Sequence, residues 1–186
     1  MEFDLEIEIL KPVSSFGYLQ MTLALLQTAG MNLQIQESEN SLICIIPKNQ
    51  KARAGQLKAE PDISSAFSLA AAAVLGGGVE ITNWQNQSQQ PDLVFLDIFK
   101  KMNISFKVEG DLFAIAKQNN WVAVDCNLKN SPDLFPALAV LCAFADGVST
   151  LSGAGQLRHK ESDRIKKTQE LLTLVGVQVE TLADGL

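Results

Sequence analysis

The hydrophobic and polar positions along the chain follow a pattern that recurs three times. Each copy has an apolar periodic segment that ends at a glycine or an asparagine, followed by a stretch of alternating polarity. The terminating residues are Gly30, Asn103 and Gly176, which are spaced by 73 residues. Glycine and asparagine tolerate the left-handed backbone that commonly closes a helix, so each segment predicts a helix followed by a strand. A constant spacing of this length indicates a repeat protein.

A second pair of segments supports the repeat. Pro61-Asp62 begins a helix that extends to about residue 75, and Pro132-Asp133 begins another that extends to about residue 145. Both segments are rich in alanine, and small side chains let neighbouring elements approach from several sides. We therefore expect both helices to be buried all round. Each is followed by Gly-Val and a short strand, at 79–82 and 148–151.

The complete unit predicts the order strand, buried helix, strand, outer helix, strand, strand. The middle copy is the clearest: it predicts strands at 57–59, 79–82, 104–108 and 112–116 and helices at 62–75 and 92–102, with a hairpin turn at 109–111. The first copy begins late, with strands at 5–10, 33–36 and 42–46 and a helix at 18–29. The third runs from a strand at 121–126 to one at 177–180 and stops at 183–186, where its closing hairpin strand is expected to begin. The fold class is therefore α/β, built from βαβαββ units and incomplete at both ends.

The domain organisation follows from the repeat. Residues 48–55 are polar and lack apolar periodicity, so they predict a linker. We expect residues 1–54 to be the last repeat unit of one domain and residues 55–186 to be two units of a second, the later one truncated. An incomplete domain leaves an open apolar side, so we expect self-association there.

Composition narrows the class of protein. No apolar run reaches the ~18 residues of a membrane span, and the first 20 residues lack the order of a signal peptide. The net charge is −6 and no basic stripe is present, which argues against a nucleic-acid partner. Cys44, Cys126 and Cys142 have no metal-like spacing and are odd in number, so we expect buried, reduced thiols in a cytoplasmic protein.

The densest chemistry lies between Arg158 and Arg164. Five of these seven residues are formally charged, in a chain of which 19% is charged. A glycine-rich turn at 152–155 precedes them and an apolar periodic segment at 165–175 follows them, which places the cluster at the start of a helix.

That location suits an anionic ligand. With Ser162 as the N-cap, Lys160 and Glu161 lie just outside the helix and Arg164 lies in its first turn. First-turn amides, a lysine and the planar fork of an arginine attract an oxyanion, and a neighbouring glutamate can exchange protons.

Simpler interpretations remain open at this point. The cluster is also typical of a solvated helix start with a cap and a few ion pairs. Asp133 has the pattern of an N-cap, and so has Asp62, for which we favour that role. Ser15 fits a turn or cap and Tyr18 a half-buried aromatic. His159, the only histidine, is interpreted as a surface residue.

The motif at 157–164, Leu-Arg-His-Lys-Glu-Ser-Asp-Arg, resembles the Arg-x-Lys-Glu-[Ser/Thr]-Asp-Arg signature of the 5-enolpyruvylshikimate-3-phosphate synthase family. The segment 60–66, Glu-Pro-Asp-Ile-Ser-Ser-Ala, is similar to that family's Gly-Asp-x-Ser-Ser-Ala helix start. Ser131-Pro132-Asp133 resembles its Pro-Asp at the next buried helix, and Ser15-Phe16-Gly17-Tyr18 its Ser-x-x-Tyr segment. The resemblance covers nearly the whole chain and implies the inside-out α/β repeat fold of the enolpyruvyl transferases.

The resemblance also implies an activity: transfer of the enolpyruvyl group from phosphoenolpyruvate to shikimate 3-phosphate, by addition and elimination, without metal or cofactor. Lys160 would contact the hydroxyl that is enolpyruvylated, and Glu161 would exchange a proton with the methylene carbon of phosphoenolpyruvate. Arg164 would bind the phosphoenolpyruvate carboxylate, and Asp133 would bind shikimate hydroxyls as a candidate base. The shikimate phosphate would contact Ser15, Tyr18 and Gln156.

Departures from the family pattern temper this expectation. Gln156 stands where the family usually has asparagine, and Pro61 replaces a glycine at the crossing between domains. The family's other phosphoenolpyruvate-binding segments do not match any part of the chain, so we expect the isolated chain to be inactive or nearly so. Two alternatives remain: a non-catalytic remnant or binding module of the same fold, and UDP-N-acetylglucosamine enolpyruvyl transferase, which lacks the Lys-Glu-[Ser/Thr]-Asp-Arg run.

Overall fold

A computed structural model describes residues 2–13, 15–56 and 58–186. The chain divides into two compact units, residues 1–59 and 60–186. The division lies in a stretch without helix or strand, as does the boundary expected after residue 54. Of the strand predicted at 57–59, Leu57 lies outside the described residues, and Lys58 and Ala59 have no regular structure. The assignment of the two units to different domains stays a prediction.

The first unit is a three-stranded sheet with one helix. Its elements are β1 (Leu5–Leu10), α1 (Phe16–Thr28), β2 (Gln34–Glu37) and β3 (Ser41–Ile46). The last strand, β3, lies in the middle and pairs antiparallel with both others. The alternating side chains Leu42 and Cys44 of β3 are buried, so one face of this middle strand is apolar and shielded from solvent, and Leu23 of α1 is buried as well.

The second unit begins with the middle copy of the repeat. It contains α2 (Ile63–Gly76), β4 (Gly78–Thr82), a 3₁₀ turn (Pro91–Val94) that continues into α3 (Phe95–Lys101), and the hairpin of β5 (Phe106–Glu109) and β6 (Leu112–Ala116). The strand order is β4-β6-β5, all antiparallel, which repeats the order of the first sheet. The predicted helix at 92–102 thus starts as a 3₁₀ turn.

The third copy contains β7 (Asp125–Asn127), a 3₁₀ turn (Pro132–Leu134) leading into α4 (Phe135–Ala143), β8 (Thr150–Ser152), a second 3₁₀ turn (Gly155–His159) and α5 (Arg164–Leu174). Strands β7 and β8 are parallel, and β7 is shorter than the predicted strand at 121–126. The prediction of a strand at 177–180 is wrong. These residues pair with no described strand, because the chain turns at 182–185 and Leu186 pairs with Leu151 of β8 instead.

The three repeat-closing residues all have left-handed backbone, with φ of +78° at Gly30, +59° at Asn103 and +89° at Gly176. At each position the next residue's amide reaches back to a carbonyl five residues earlier, as in the Met31 amide to the Leu26 carbonyl at 3.0 Å. This is the hydrogen bond of a Schellman motif. The prediction of three equivalent helix ends is confirmed.

Aromatic side chains form the centre of the second unit. Phe67 of α2 lies 5.4 Å from Phe95 of α3 between ring centroids, and Trp84 lies 4.8 Å from Phe113 of β6. Each such pair contributes about 0.5–1.5 kcal/mol beyond its buried area, so this cluster joins two helices to the sheet. Helix α4 packs against both α2 and α5, which continues the core into the third copy.

Helix α2 is not buried all round, which corrects the prediction from its small residues. One stripe of the helix stays exposed, and Leu69 in that stripe is 56% exposed. The stripe comprises Ser65, Ser68, Leu69 and Ala72. Within the described part of this unit, the sheet, α4 and the turns cover the other sides of α2 only.

The cysteines are unpaired thiols. Cys44 is buried, whereas Cys126 and Cys142 are half-buried rather than fully buried as expected. Burial raises the pKa of the Cys142 thiol to about 11 and also raises that of Cys126. Both thiols are therefore protonated at neutral pH and weakly nucleophilic.

Candidate active site

The charged loop, residues 158–164, connects the 3₁₀ turn Gly155–His159 to α5. The N-cap of α5 is Asp163, not Ser162 as predicted. The Asp163 carboxylate accepts a hydrogen bond from the Lys166 amide at 2.9 Å, and α5 begins at Arg164. An ionised carboxylate is a stronger acceptor than a serine hydroxyl and complements the positive end of the helix.

Arg164 is the centre of the loop's contacts. Its Nε and Nη2 atoms donate to the two Glu161 carboxylate oxygens at 2.8 and 2.9 Å. Its Nη1 atom donates to Asp133 Oδ1 at 3.0 Å. One guanidinium therefore holds two carboxylates from different parts of the chain, in the fork geometry that suits arginine.

Asp133 comes from the 3₁₀ turn that precedes α4. The alternative that Asp133 is an N-cap is wrong, because it lies inside the turn, Ser131 occupies the cap position, and the Asp133 carboxylate faces Arg164. Ser131 is buried, and its hydroxyl donates to the Pro91 carbonyl at 2.9 Å. This bond anchors the turn to the start of the 3₁₀ segment before α3.

Apolar anchors hold these charged groups in place. Leu134, Leu157 and Ile165 are each fully buried, and each is next in sequence to a charged residue of the site. Burying a leucine or isoleucine side chain contributes about 1.5–3 kcal/mol, which exceeds the worth of a half-exposed ion pair. The core therefore sets the backbone positions of Asp133, Arg158 and Arg164, and the ion pairs follow from them.

The electrostatics of the site favour an ionised Glu161. The hydrogen bond from Arg164 is the largest cause that lowers the pKa of Glu161, and the charge of Lys160 adds to it. The same hydrogen bond raises the pKa of Arg164. Glu161 is therefore ionised and an acceptor at neutral pH, and its hydrogen bond with Arg164 disfavours the protonated form.

Lys160 differs from its neighbours. Its side chain is exposed, and it makes no hydrogen bond or ion pair with any residue that the structure describes. Gln156, on the preceding 3₁₀ turn, donates from Nε2 to the Lys129 carbonyl at 3.0 Å. The structure thus brings Asp133, Glu161 and Arg164 into contact, and leaves the Lys160 ammonium to solvent beside them.

Ser15 and Tyr18 belong to the first unit and are described within it. Ser15 is at the cap position of α1 with φ of +55°, and its side chain makes no capping hydrogen bond. Tyr18 lies in the first turn and is half-buried, as expected, with its amide 3.1 Å from the Ser15 carbonyl. Their contacts with shikimate phosphate stay a prediction.

Sequence reasoning missed the role of Arg158. Its guanidinium donates to the Ala183 carbonyl at 2.9 Å, the Leu182 carbonyl at 2.7 Å and Asp163 Oδ2 at 3.0 Å. The spacing of Arg158 and Asp163 around the loop was a visible signal, but backbone acceptors 24 and 25 residues away leave no mark in the sequence.

The remaining features are the position of His159, candidate metal ligands and candidate membrane spans. His159 is exposed, which confirms its interpretation as a surface residue. Among residues 2–13, 15–56 and 58–186, no group of three or more His, Cys, Asp or Glu side chains is arranged to hold a metal ion. Over the same residues, no helix is both long enough and apolar enough to cross a membrane.

Comparisons with known sequences agree with one another. The family model of EPSP synthase (3-phosphoshikimate 1-carboxyvinyltransferase) matches residues 4–186. The chain is 38% identical over 173 residues to the 3-phosphoshikimate 1-carboxyvinyltransferase of Methanosphaera stadtmanae, covering 91% of this chain and 40% of that protein. It is 36% identical over 184 residues to the enzyme of that name from Syntrophobacter fumaroxidans, covering 98% and 43%. The chain thus spans about two fifths of the length of these relatives.

Solved structures show the same fold. An EPSP synthase from Acinetobacter baumannii superposes on 99% of this chain and 42% of its own length, with a TM-score of 0.71 at 22% identity. The enolpyruvyl transferase NikO from Streptomyces tendae matches 79% of this chain and 35% of its own, with a TM-score of 0.59 at 16% identity. These likenesses confirm the enolpyruvyl transferase type of α/β repeat fold. The match of the family model over residues 4–186, together with the identity to the two named relatives, shows that the chain belongs to the EPSP synthase family.

Proposed function

We propose that this chain supplies part of the machinery that transfers the enolpyruvyl group of phosphoenolpyruvate to shikimate 3-phosphate, giving 5-enolpyruvylshikimate 3-phosphate and phosphate. The observation that supports it most is the Arg164 guanidinium, which gathers Asp133 and Glu161 at the start of α5. A reaction of two anionic substrates needs cations, a proton donor and a base in one place, and the charged loop with Asp133 supplies groups of each kind.

The arrangement suggests how the first step is prepared. Glu161 occupies the Arg164 fork, which is the side that a substrate carboxylate would use. A phosphoenolpyruvate carboxylate that binds Arg164 would displace Glu161. The main cause of the low pKa of Glu161 then disappears, so the freed carboxyl is easier to protonate and can serve as an acid.

The proposed reaction then has two steps, an addition and an elimination. In the addition, the shikimate hydroxyl oxygen bonds to C2 of phosphoenolpyruvate, C3 receives a proton from Glu161, and the hydroxyl loses its proton to a base, for which Asp133 is the candidate. In the elimination, the methyl carbon returns a proton to Glu161 and the C2–O bond to phosphate breaks. Lys160 would contact the reacting hydroxyl, while Ser15, Tyr18 and Gln156 would hold the shikimate phosphate.

The test is ligand binding by the purified chain, with activity measured in parallel. Shikimate 3-phosphate is expected to raise the melting temperature in a concentration-dependent way, because a ligand that binds only the folded state stabilises it. UDP-N-acetylglucosamine and inorganic phosphate at equal concentrations are the controls. A shift with UDP-N-acetylglucosamine alone would favour the other enolpyruvyl transferase, and no shift with any of them would contradict the proposal.

The activity of the chain alone is a separate question from its binding. We expect little or no enolpyruvyl transfer by the chain alone, because it spans 40% and 43% of the length of two named transferases and catalysis needs groups that converge. Phosphate release at a rate like that of a full-length relative would contradict this expectation.

Two finer points belong to the same proposal. A cytoplasmic location is supported by three unpaired cysteines. Self-association is supported by an apolar patch at the end of α5, where Leu171, Leu174 and Val175 are 54%, 84% and 69% exposed.

A further inference from the structure

Arg158 ties the charged loop to a distant part of the chain. Three of its nitrogens donate to three acceptors, and its side chain is 27% exposed. Two acceptors are the carbonyls of Leu182 and Ala183, and the third is the carboxylate of Asp163. Each of the three guanidinium nitrogens thus has a protein acceptor, so three of the five N–H donors are used within the chain and the side chain is fixed in position.

The segment that accepts hydrogen bonds from Arg158, residues 182–186, makes further hydrogen bonds to the rest of the unit. Leu186 exchanges two backbone hydrogen bonds with Leu151 of β8, both at 2.9 Å. The Asp184 carbonyl accepts from the Ala154 amide at 2.8 Å, and the Asp184 carboxylate accepts from the Gly153 amide at 2.9 Å. Arg158 is therefore anchored, through this segment, to a strand of the core.

Asp163 completes a closed loop. One of its carboxylate oxygens caps α5 through the Lys166 amide, and the other accepts from Arg158. The Arg158–Asp163 pair thus joins the two ends of the segment 159–162. Hydrogen bonds to the Lys166 amide and to Arg158 both lower the pKa of Asp163, so the carboxylate stays ionised at neutral pH.

Two charged residues within the segment 159–162 differ in how far their positions depend on the Arg158–Asp163 pair. Glu161 has its own partner in Arg164, but Lys160 makes no hydrogen bond or ion pair with a described residue. The position from which the Lys160 side chain extends is therefore set by the backbone between Arg158 and Asp163. Loosening that backbone would enlarge the space that Lys160 samples and so weaken any contact that needs it in one place.

We propose that Arg158 is a positioning residue, which holds Lys160 in place for the phosphorylated substrate by closing the loop against Asp163 and the 182–183 carbonyls. This inference rests on the proposed function, because it takes Lys160 to contact shikimate 3-phosphate. Arg158 itself would not touch the substrate.

The experiment compares the full chain with Arg158→Gln and Arg158→Lys. The control is Lys167→Gln on the neighbouring helix α5, which removes an exposed ion pair with Glu170. Hydrogen–deuterium exchange of the amides at 159–163 reports the loop without any ligand. Calorimetry with shikimate 3-phosphate reports binding. We expect Arg158→Gln to speed exchange at 159–163 only and to weaken binding about tenfold, the effect of one charge-assisted hydrogen bond. Arg158→Lys retains the charge and should lose less.

A double-mutant cycle separates positioning from a general structural role. In a Lys160→Met background, Arg158→Gln should weaken binding no further, because the group through which it acts is already gone. Equal losses in both backgrounds, or faster exchange throughout residues 60–186, would overturn the positioning role. The parent chain could fail to bind shikimate 3-phosphate while Arg158→Gln still speeds amide exchange at 159–163. That result would contradict the proposed function but would still show that Arg158 fixes the backbone of the loop.

Discussion

The Arg164 guanidinium lies 3.0 Å from the Asp133 carboxylate, across 31 residues of sequence. Asp133 comes from the 3₁₀ turn before α4 and Arg164 from the start of α5, and each is next to a fully buried leucine or isoleucine. Their side chains are 29% and 36% exposed, so the pair is accessible to a ligand and weakly stabilising at the same time.

Asp133→Asn should therefore affect binding more than folding. We expect the free energy of unfolding to change by less than about 1 kcal/mol, because a part-exposed ion pair contributes little. Binding of shikimate 3-phosphate should weaken by about tenfold or more if the carboxylate accepts from its hydroxyls. Urea denaturation and calorimetry measure the two effects. Asp97→Asn, which breaks the exposed pair with Lys100, is the matched control, and a large loss of stability with unchanged binding would assign Asp133 a structural role.

The pKa of Glu161 should depend on Arg164. Since the hydrogen bond from Arg164 is the first cause of its lowering, Arg164→Ala should raise the pKa of Glu161 toward its ordinary value of 4.5. The remaining charge of Lys160 keeps the rise incomplete. An NMR titration of the side-chain carboxyl carbons would show this, with Glu170, which is lowered mainly by Lys167, as an internal control. An unchanged Glu161 titration would mean that the fork contact does not form in solution.

The lowered pKa of Asp163 predicts how the stability of the folded chain changes at acidic pH. Its pKa in the folded chain lies below the ordinary value of 3.8, so its stabilising contribution is present above that value and is lost as the pH falls through the folded-state pKa. Asp163→Asn retains a capping oxygen but removes the charge. The urea midpoint of this variant should be lower than that of the parent at about pH 6, and the difference should shrink below about pH 3.5. A difference independent of pH would exclude the ionised carboxylate as its source.

The N-terminal cap of helix α2 can be tested by substitution. Asp62 is its N-cap and accepts from the Ser64 amide, which confirms the role favoured from sequence. Asp62→Ala should lower the free energy of unfolding by about 1 kcal/mol, and Asp62→Ser should lose only a fraction of that, because serine also caps. Chemical denaturation distinguishes the two. Equal losses would show that the carboxylate matters for another reason.

The apolar end of α5 predicts concentration-dependent association. Leu174 and Val175 are among the most exposed large hydrophobic residues described. Leu174→Lys should shift the chain toward the monomer in sedimentation or light-scattering measurements, since a charge opposes burial of the patch. Val148→Lys, at a residue 91% exposed outside that helix, is the comparison. Monomeric behaviour of the parent chain at all concentrations would refute the association.

Local sequence patterns predicted most of the helices and strands, since their causes are local. The left-handed closures at Gly30, Asn103 and Gly176 need only a residue that tolerates positive φ, and the hairpin at 109–111 needs only its turn chemistry. The same reasoning failed at 177–180, because a strand exists only where another strand lies beside it to accept its hydrogen bonds. It also failed for α2, whose composition permits burial on every side but cannot supply the neighbours.

The sequence by itself determined the period, the fold class and the set of charged residues at the start of α5. Periodicity, capping preference and charge are properties of neighbouring residues and can be read in order. The tertiary structure alone decided that Arg164 is shared by Glu161 and Asp133, that Asp163 rather than Ser162 caps the helix, and that Arg158 grips the backbone at 182–183. The contacts of Arg164 with Asp133 and of Arg158 with the backbone join residues that are 24 to 31 positions apart, and the cap is a choice between adjacent candidates. They depend on how buried side chains such as Leu157 and Ile165 set the helices against one another, which no local pattern specifies.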